Sequence, residues 1–313
     1  MRIQIVTPAS RLSRKGNWTT AARWVKFCRQ LGYKADAFQS FRQNSSDVLI
    51  ALHARKSAKA IDLAASQGLK TVLMLTGTDI YNRYDKGSVV WNSIKRADRL
   101  VVLQSEALDA IPKQFRAKTD VIYQSAVPSR SSIVKLKTVF ELCCVGHLRP
   151  VKDPFRAVFA TRKLPAESRI RVVHYGAALS SSMGTTAEKY TEQSLRYRWV
   201  GAVPRGKVLA RIARSRALIV SSKLEGGSGV ITEAVAAGTP VLASRVSGNV
   251  GLLGRNYAGF FEYRNTNQLA TLMRRCEIDP EFYSNLQTQI KKRKPLVDPQ
   301  REKKSIERLI RSL

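Results

Sequence analysis

The stretch Ser221-Ser222-Lys223-Leu224-Glu225-Gly226-Gly227-Ser228-Gly229-Val230-Ile231-Thr232-Glu233-Ala234-Val235-Ala236-Ala237-Gly238-Thr239-Pro240-Val241 decides the fold. It continues an apolar run, Ala217–Ser221, that reads as a buried strand. A loop with three glycines follows, then a helix over Gly229–Ala237, Gly238 as its C-cap, and a second strand over Pro240–Ala243. Strand, glycine loop, helix and strand in this order describe a parallel βαβ unit. The glycines permit left-handed φ and close backbone approach. The helix start offers unpaired N–H groups and a partial positive charge, a combination that cradles phosphate. A plain strand–turn–helix junction is the alternative when the glycines are taken alone.

Two carboxylates sharpen the reading. Glu225 stands in the loop and Glu233 in the first turns of the helix. Like charge keeps a carboxylate from serving a phosphate, whereas it accepts hydrogen bonds well from neutral hydroxyls. A ligand with hydroxyls on both sides of a diphosphate satisfies every group here, and a nucleotide sugar is such a ligand.

Outward from this stretch, short β-branched runs alternate with amphipathic ones. The first half predicts strands at Arg2–Thr7, Lys34–Phe38, Asp47–His53, Lys70–Thr76, Asp98–Leu103 and Asp120–Gln124, with helices at Trp18–Leu31, Ser57–Ser66, Lys86–Ala97 and Ser105–Phe115. After a Pro/Ser break at Val127–Ser132 the alternation restarts. It predicts strands at Val139–Val145, Ile170–Tyr175, Tyr197–Gly201, Ala217–Ser221, Pro240–Ala243 and Gly259–Glu262. Helices are expected at Pro154–Lys163, Ala187–Ser194, Arg205–Arg214, Gly229–Ala237, Asn265–Glu277, Pro280–Lys292 and Pro299–Leu313. The expected fold class is therefore α/β, two facing Rossmann-like domains. The break divides the chain into residues 1–130 and 131–313, the second with a basic C-terminal helix.

Composition narrows the function. The chain has 313 residues, enough for two domains, and 44% are hydrophobic, which excludes disorder as the main state. No apolar run is long enough to span a membrane, and the first residues do not read as a secretory leader, so a cytoplasmic protein is expected. Cys28, Cys143, Cys144 and Cys276 form no CxxC and read as buried free thiols. The three histidines, His53, His147 and His174, are scattered, and no zinc site is expected. Lys and Arg number 54 against 23 Asp and Glu, a formal charge of +31 that favours anionic partners. It is spread along the chain and densest in the last 23 residues.

The spacing of Glu225 and Glu233, with seven residues between them, resembles the E-x7-E signature of retaining glycosyltransferases of the family 4 type, which have the GT-B fold. The resemblance implies that residues 1–130 are the acceptor-side domain and 131–313 the nucleotide-sugar-binding domain. It implies further that Glu233 binds the ribose hydroxyls, that Glu225 lies near the donor sugar, and that Gly227, Ser228 and Gly229 meet the diphosphate. Cys144-Val145-Gly146-His147-Leu148-Arg149-Pro150-Val151-Lys152 resembles the family's G-R-L-x-x-x-K stretch, whose Arg and Lys hold the diphosphate. Lys152 matches. His147 stands at the Arg position and Arg149 two residues on, so either can hold the β-phosphate; His147 can instead supply a proton or merely pack at a strand end. His174 reads as structural. Thr7-Pro8…Gly16-Asn17-Trp18 resembles the family's first turn, with Gly16 giving close approach and Asn17 capping the helix. Thr76-Gly77-Thr78-Asp79 stands where many relatives carry a histidine, and His53 and Arg55 end a neighbouring strand, pointing at ligand or lying on a solvated face.

More narrowly, Leu-Thr-Gly-Thr-Asp, Val-Ile-Tyr-Gln-Ser-Ala, Val-Gly-His-Leu-Arg, Tyr-Arg-Trp-Val-Gly-Ala and Val-Ser-Gly-Asn-Val-Gly together resemble the selenosugar synthases of selenoneine biosynthesis. That implies a UDP-sugar donor, UDP-N-acetylglucosamine above all, a selenophosphate acceptor and a 1-selenosugar product. Lys15, His53, Arg55, Thr78 and Asp79 would face the acceptor. No cofactor, no metal and no specific nucleic acid are expected. A family 4 enzyme with a hydroxyl or lipid-linked acceptor is the alternative, and a nucleic-acid-binding protein on a degenerate transferase fold is a third reading.

Overall fold

A computed structural model describes residues 1–10, 16–43, 46–77, 79–81, 85–129, 134–136 and 138–313. The chain forms two units, Met1–Gln124 with Pro299–Leu313, and Ser125–Asp298.

The first unit runs β1 (Arg2–Val6), α1 (Gly16–Gln30), β2 (Lys34–Phe38), β3 (Val48–Leu52), α2 (Ala58–Ser66), β4 (Lys70–Leu75), α3 (Val89–Arg96), β5 (Arg99–Val102) and β6 (Thr119–Val121). Its six strands are parallel in the order β2-β1-β3-β4-β5-β6. A parallel sheet is covered on both faces, and alternate residues of one strand face opposite sides. Every residue of β3 is buried: Val48, Ile50 and Leu52 join a core with Trp24 and Phe27 of α1, while Leu49 and Ala51 join one with Ile61 of α2 and Ile94 of α3.

The second unit continues with β7 (Phe140–Val145), α4 (Arg156–Thr161), β8 (Ile170–Tyr175), α5 (Ser181–Glu192), β9 (Tyr197–Trp199), α6 (Arg205–Arg214), β10 (Ala217–Val220), α7 (Gly229–Ala237), β11 (Val241–Ser244), α8 (Ser247–Leu253), β12 (Phe260–Phe261), α9 (Thr266–Ile278) and α10 (Pro280–Arg293). Its parallel order is β12-β11-β10-β7-β8-β9. The chain starts at β7, winds out through β8 and β9, crosses back to β10 and winds out the other way. The reversal between β7 and β10 opens a crevice at their carboxyl ends, the place where doubly wound sheets bind ligands.

The expected boundaries, 1–130 and 131–313, differ from this division at the C-terminus. The last helix, α11 (Pro299–Arg311), belongs to the first unit. Its Ile306, Leu309 and Ile310 are buried in the core under α1, each contributing roughly 1.5–3 kcal/mol of transfer free energy. Glu302, 1% exposed, accepts from Arg23 Nε at 2.8 Å and Trp24 Nε1 at 2.9 Å. Charge density drew attention to the basic face of this helix, whereas its apolar face determines where it packs. Two other expectations change. Ser105–Phe115 is a 3-10 segment, Ser105–Ala110, followed by a second, Lys113–Lys118, because Pro112 breaks the run. Helix α8 was not expected, since Gly248, Asn249 and Gly251 weaken its pattern.

All four cysteines are free and buried, as expected. Burial pushes the thiols of Cys28, Cys143 and Cys276 up to about 12, which leaves them unreactive at neutral pH. No helix among the described residues is long and apolar enough to cross a membrane.

Candidate active site

Buried β10 delivers its chain to the sheet's carboxyl edge, where Ser221 ends the apolar run. Ser221 Oγ donates to the carbonyls of Lys152 at 3.1 Å and Asp153 at 2.8 Å, and Lys223 N–H donates to Val151 at 2.8 Å. These bonds knit the loop after β10 to the 3-10 turn Pro150–Lys152 that follows β7. Asp153, with φ of 45°, closes that turn in the left-handed region, where a short polar side chain is tolerated.

The knit brings charge together. Lys152 Nζ bonds Glu225 Oε1, and Ser222 Oγ donates to the same oxygen at 2.7 Å. Glu225 is 8% exposed. Its backbone is clamped by α8: a Cβ on Gly248 would stand 1.8 Å from the Glu225 carbonyl oxygen, so only glycine fits there. Ser222 is fixed in turn, its carbonyl accepting from Ser244 Oγ at 2.6 Å. Residues Gly146, Lys152, Ser221, Ser222, Glu225 and Val230 line a narrow crevice between the ends of β7 and β10. A larger concavity of about 470 Å³ lies at the amino-terminal edge of the first sheet, between Arg2, Lys34 and Asp47, and includes none of these groups.

Helix α7 starts at this crevice. Ser228 is its N-cap residue but makes no side-chain cap bond, and its buried Oγ has no partner among the described residues. A buried hydroxyl left this way beside a helix start suits an incoming acceptor oxygen. Gly226, Gly227 and Gly229 do not use the left-handed φ that glycine permits. What Gly229 provides is room, since a Cβ there would meet nothing within 4 Å. Gly238, at φ of 74°, is the C-cap as read. Glu233, one turn into the helix and 7% exposed, pairs with Arg205 Nη2 at 2.6 Å.

The remaining residues of the second unit divide clearly. Arg149 is exposed on the turn that carries Lys152. His147 is half-buried, and its Nδ1 accepts from the Ala177 N–H at 3.1 Å, which puts the proton of the neutral ring on Nε2. His174 is structural, as read. Its Nε2 donates to the Gly146 carbonyl at 3.2 Å and its Nδ1 accepts from Tyr197 Oη at 3.0 Å. Burial pushes it down to about 4, so it stays neutral.

In the first unit, Lys15 and Thr78 lie outside the described residues. Gly16 is exposed and begins α1. Asn17 therefore stands inside the helix's first turn and does not cap it, against expectation. Arg55 is exposed after β3. His53 has φ of 77°, an unusual left-handed conformation at the β1/β3 switch point. Asp79 departs from its expected acceptor role. It is 1% exposed, with Oδ2 accepting from Ala54 N–H at 2.9 Å and Oδ1 from Gly77 N–H at 2.8 Å and Thr76 N–H at 3.2 Å. It ties two strand ends together, and the His53 ring lies against it with Nδ1 3.8 Å from Oδ2.

Sequence reasoning missed Ser222, Arg205 and Gly248. Ser222 and Gly248 lay within motifs that had been read, while Arg205 carried a weaker signal: a cation at a helix start with no acidic residue in its first turn.

Two Rossmann-like units, with the ion pair and helix start at the second sheet's switch point, define a GT-B glycosyltransferase. The chain belongs to the family described as Glycosyl transferases group 1, which matches residues 129–293. Solved structures of this fold include HepE of Anabaena in complex with UDP, 17% identical over 100% of both chains with a TM-score of 0.76. Sucrose-phosphate synthase of Thermosynechococcus elongatus is 14% identical over 99% of this chain and 98% of its own, with a TM-score of 0.81. The apo form of the lipopolysaccharide outer core galactosyltransferase WaaB is 15% identical over 100% and 99%, with a TM-score of 0.69.

Proposed function

We propose that this glycosyltransferase moves the sugar of a UDP-sugar, UDP-N-acetylglucosamine above all, onto selenophosphate. The observation that carries the donor half is the constellation at the β7/β10 crevice: Lys152 on Glu225, Ser222 behind it, and Ser228 at the start of α7. The UDP and UDP-glucose held by HepE, a protein of the same fold, support a uridine nucleotide. The selenium half rests on the sequence pattern shared with selenosugar synthases and on Arg55 and Lys56, both exposed at the carboxyl edge of the first sheet.

The chemistry follows from charge. As the bond from C1 of the sugar to the β-phosphate oxygen breaks, its electron pair moves onto UDP. Lys152, Arg149 and the N–H groups at the start of α7 meet that growing negative charge without a divalent ion. Glu225 and Glu233 take sugar and ribose hydroxyls. A selenium lone pair forms the new bond to C1. Water then attacks phosphorus, the Se–P bond breaks, and phosphate and the selenosugar separate, with the proton passing to selenium. Selenium is already anionic and needs no base for its attack, which agrees with a first-unit edge whose carboxylate, Asp79, is tied to backbone amides.

The test is mass spectrometry of purified protein incubated with selenophosphate and UDP-N-acetylglucosamine. A product with the selenium isotope pattern and the mass of a 1-selenosugar is expected, with equimolar UDP. If no selenium enters the sugar although the UDP-sugar binds, a hydroxyl or lipid-linked acceptor takes its place.

A further inference from the structure

Packing does not explain the pairing of Glu233 with Arg205. Arg205 is the first residue of α6, a helix with Pro204 at its N-cap, no side-chain cap and no acidic residue in its first turn. A cation there opposes the helix dipole. Its side chain is 56% exposed, so burial does not hold it in place either. What offsets the dipole is Glu233, on the neighbouring helix α7, whose Oε1 lies 2.6 Å from Nη2. Glu233 is buried to 7%, and its carboxylate is the group proposed above to take the ribose hydroxyls.

A carboxylate offers about four acceptor positions on two oxygens. The guanidinium N–H on Oε1 takes one of these positions and fixes the plane of the carboxylate.

We propose that Arg205 is a positioning residue for nucleotide recognition: it pins the Glu233 carboxylate so that Glu233 reads the ribose 2′- and 3′-hydroxyls together. The proposal rests on the nucleotide reading of this crevice. It makes Arg205 a determinant of ribose over deoxyribose, which neither the glycine loop nor Lys152 can be, since those meet phosphate.

The test compares UDP with 2′-deoxy-UDP by calorimetry in the unaltered protein, Arg205→Ala and Arg205→Lys. Loss of a hydrogen bond to a charged group corresponds to roughly tenfold or more in affinity, so the unaltered protein is expected to favour UDP by about that factor. Arg205→Ala should bring the ratio down to about two- to threefold by weakening UDP more than 2′-deoxy-UDP. Arg205→Lys should restore part of it, because the charge returns but not the planar fork. The melting temperature, read in parallel, should change little for a half-exposed side chain. An unchanged ratio in Arg205→Ala, or tighter UDP binding, overturns the role of Arg205 while leaving the donor site standing. Failure of the unaltered protein to bind UDP overturns both.

Discussion

The two parallel sheets end in loops of similar chemistry, yet they use their carboxylates in opposite ways. At the second sheet, Glu225 and Glu233 are paired with the side chains of Lys152 and Arg205. At the first, Asp79 accepts from the backbone N–H groups of Ala54, Thr76 and Gly77, and its only side-chain neighbour among the described ion pairs is the buried His53 ring, with Nδ1 3.8 Å from Oδ2. A side-chain cation can turn away or share its partner when a ligand arrives. A backbone amide in a strand end cannot move without unravelling the loop. A carboxylate held by mobile cations is thus available for binding, whereas one held by amides is part of the scaffold. The histidines obey the same rule: His174 bonds the Gly146 carbonyl and Tyr197, and in doing so shapes the loop that follows β7.

The comparison breaks most visibly at Lys152. Lys152→Ala is expected to lower kcat by about a hundred- to a thousandfold, the usual loss when one group that stabilises a leaving anion is removed. Affinity for UDP should fall far less, because the charge on the leaving group is greatest in the transition state. Steady-state kinetics beside calorimetry would check this, and equal losses in both would make Lys152 a ground-state ligand only.

Next in size is the pH response of His174. Its folded value, about 4, lies below the ordinary imidazole value of about 6.5. Between those values the unfolded chain binds the proton and the folded chain does not, so stability is complete above about pH 6.5 and falls as pH drops toward 4. The loss is of the order of 3 kcal/mol. Thermal melts from pH 7 to 4 should show it, and His174→Phe should flatten this slope while lowering stability at neutral pH. A slope of the same size in His174→Phe would assign it to other groups.

Smaller again is Asp79→Ala, which leaves three amides without their acceptor and should cost roughly 1–3 kcal/mol in urea unfolding. UDP affinity should remain at the unaltered value. A stable Asp79→Ala protein with impaired catalysis would return Asp79 to the acceptor site and undo the contrast between the two edges.

Much of this was legible in the sequence for identifiable reasons. The central strands stood out because parallel strands buried on both faces are continuous apolar runs, as in Val48–Leu52 and Ala217–Val220, whereas the edge strands Lys34–Phe38, Thr119–Val121 and Tyr197–Trp199 carry polar residues and were read from their place in the alternation. The loop from Ser221 to Ser228 and the helix Gly229–Ala237 were read at their observed bounds, since glycine punctuates both ends. What stayed hidden depended on contacts distant in sequence. Nothing local says that Glu302 will meet Trp24, 278 positions away, and carry α11 into the first unit. Nothing local separates Asp79 from Glu225, because the partner of a carboxylate, amide or side chain, is a property of the folded loop. Gly248 was legible as a glycine in a motif, but its reason, the carbonyl of Glu225 lying against it, is tertiary.

The donor site in the second unit is tested most directly by titrating UDP calorimetrically into the unaltered protein and Glu233→Ala. One saturable site is expected in the unaltered protein, with affinity weakened by roughly 1–3 kcal/mol when the Glu233 carboxylate is removed. The same UDP affinity in both proteins would contradict the placement of the nucleotide at the β7/β10 crevice.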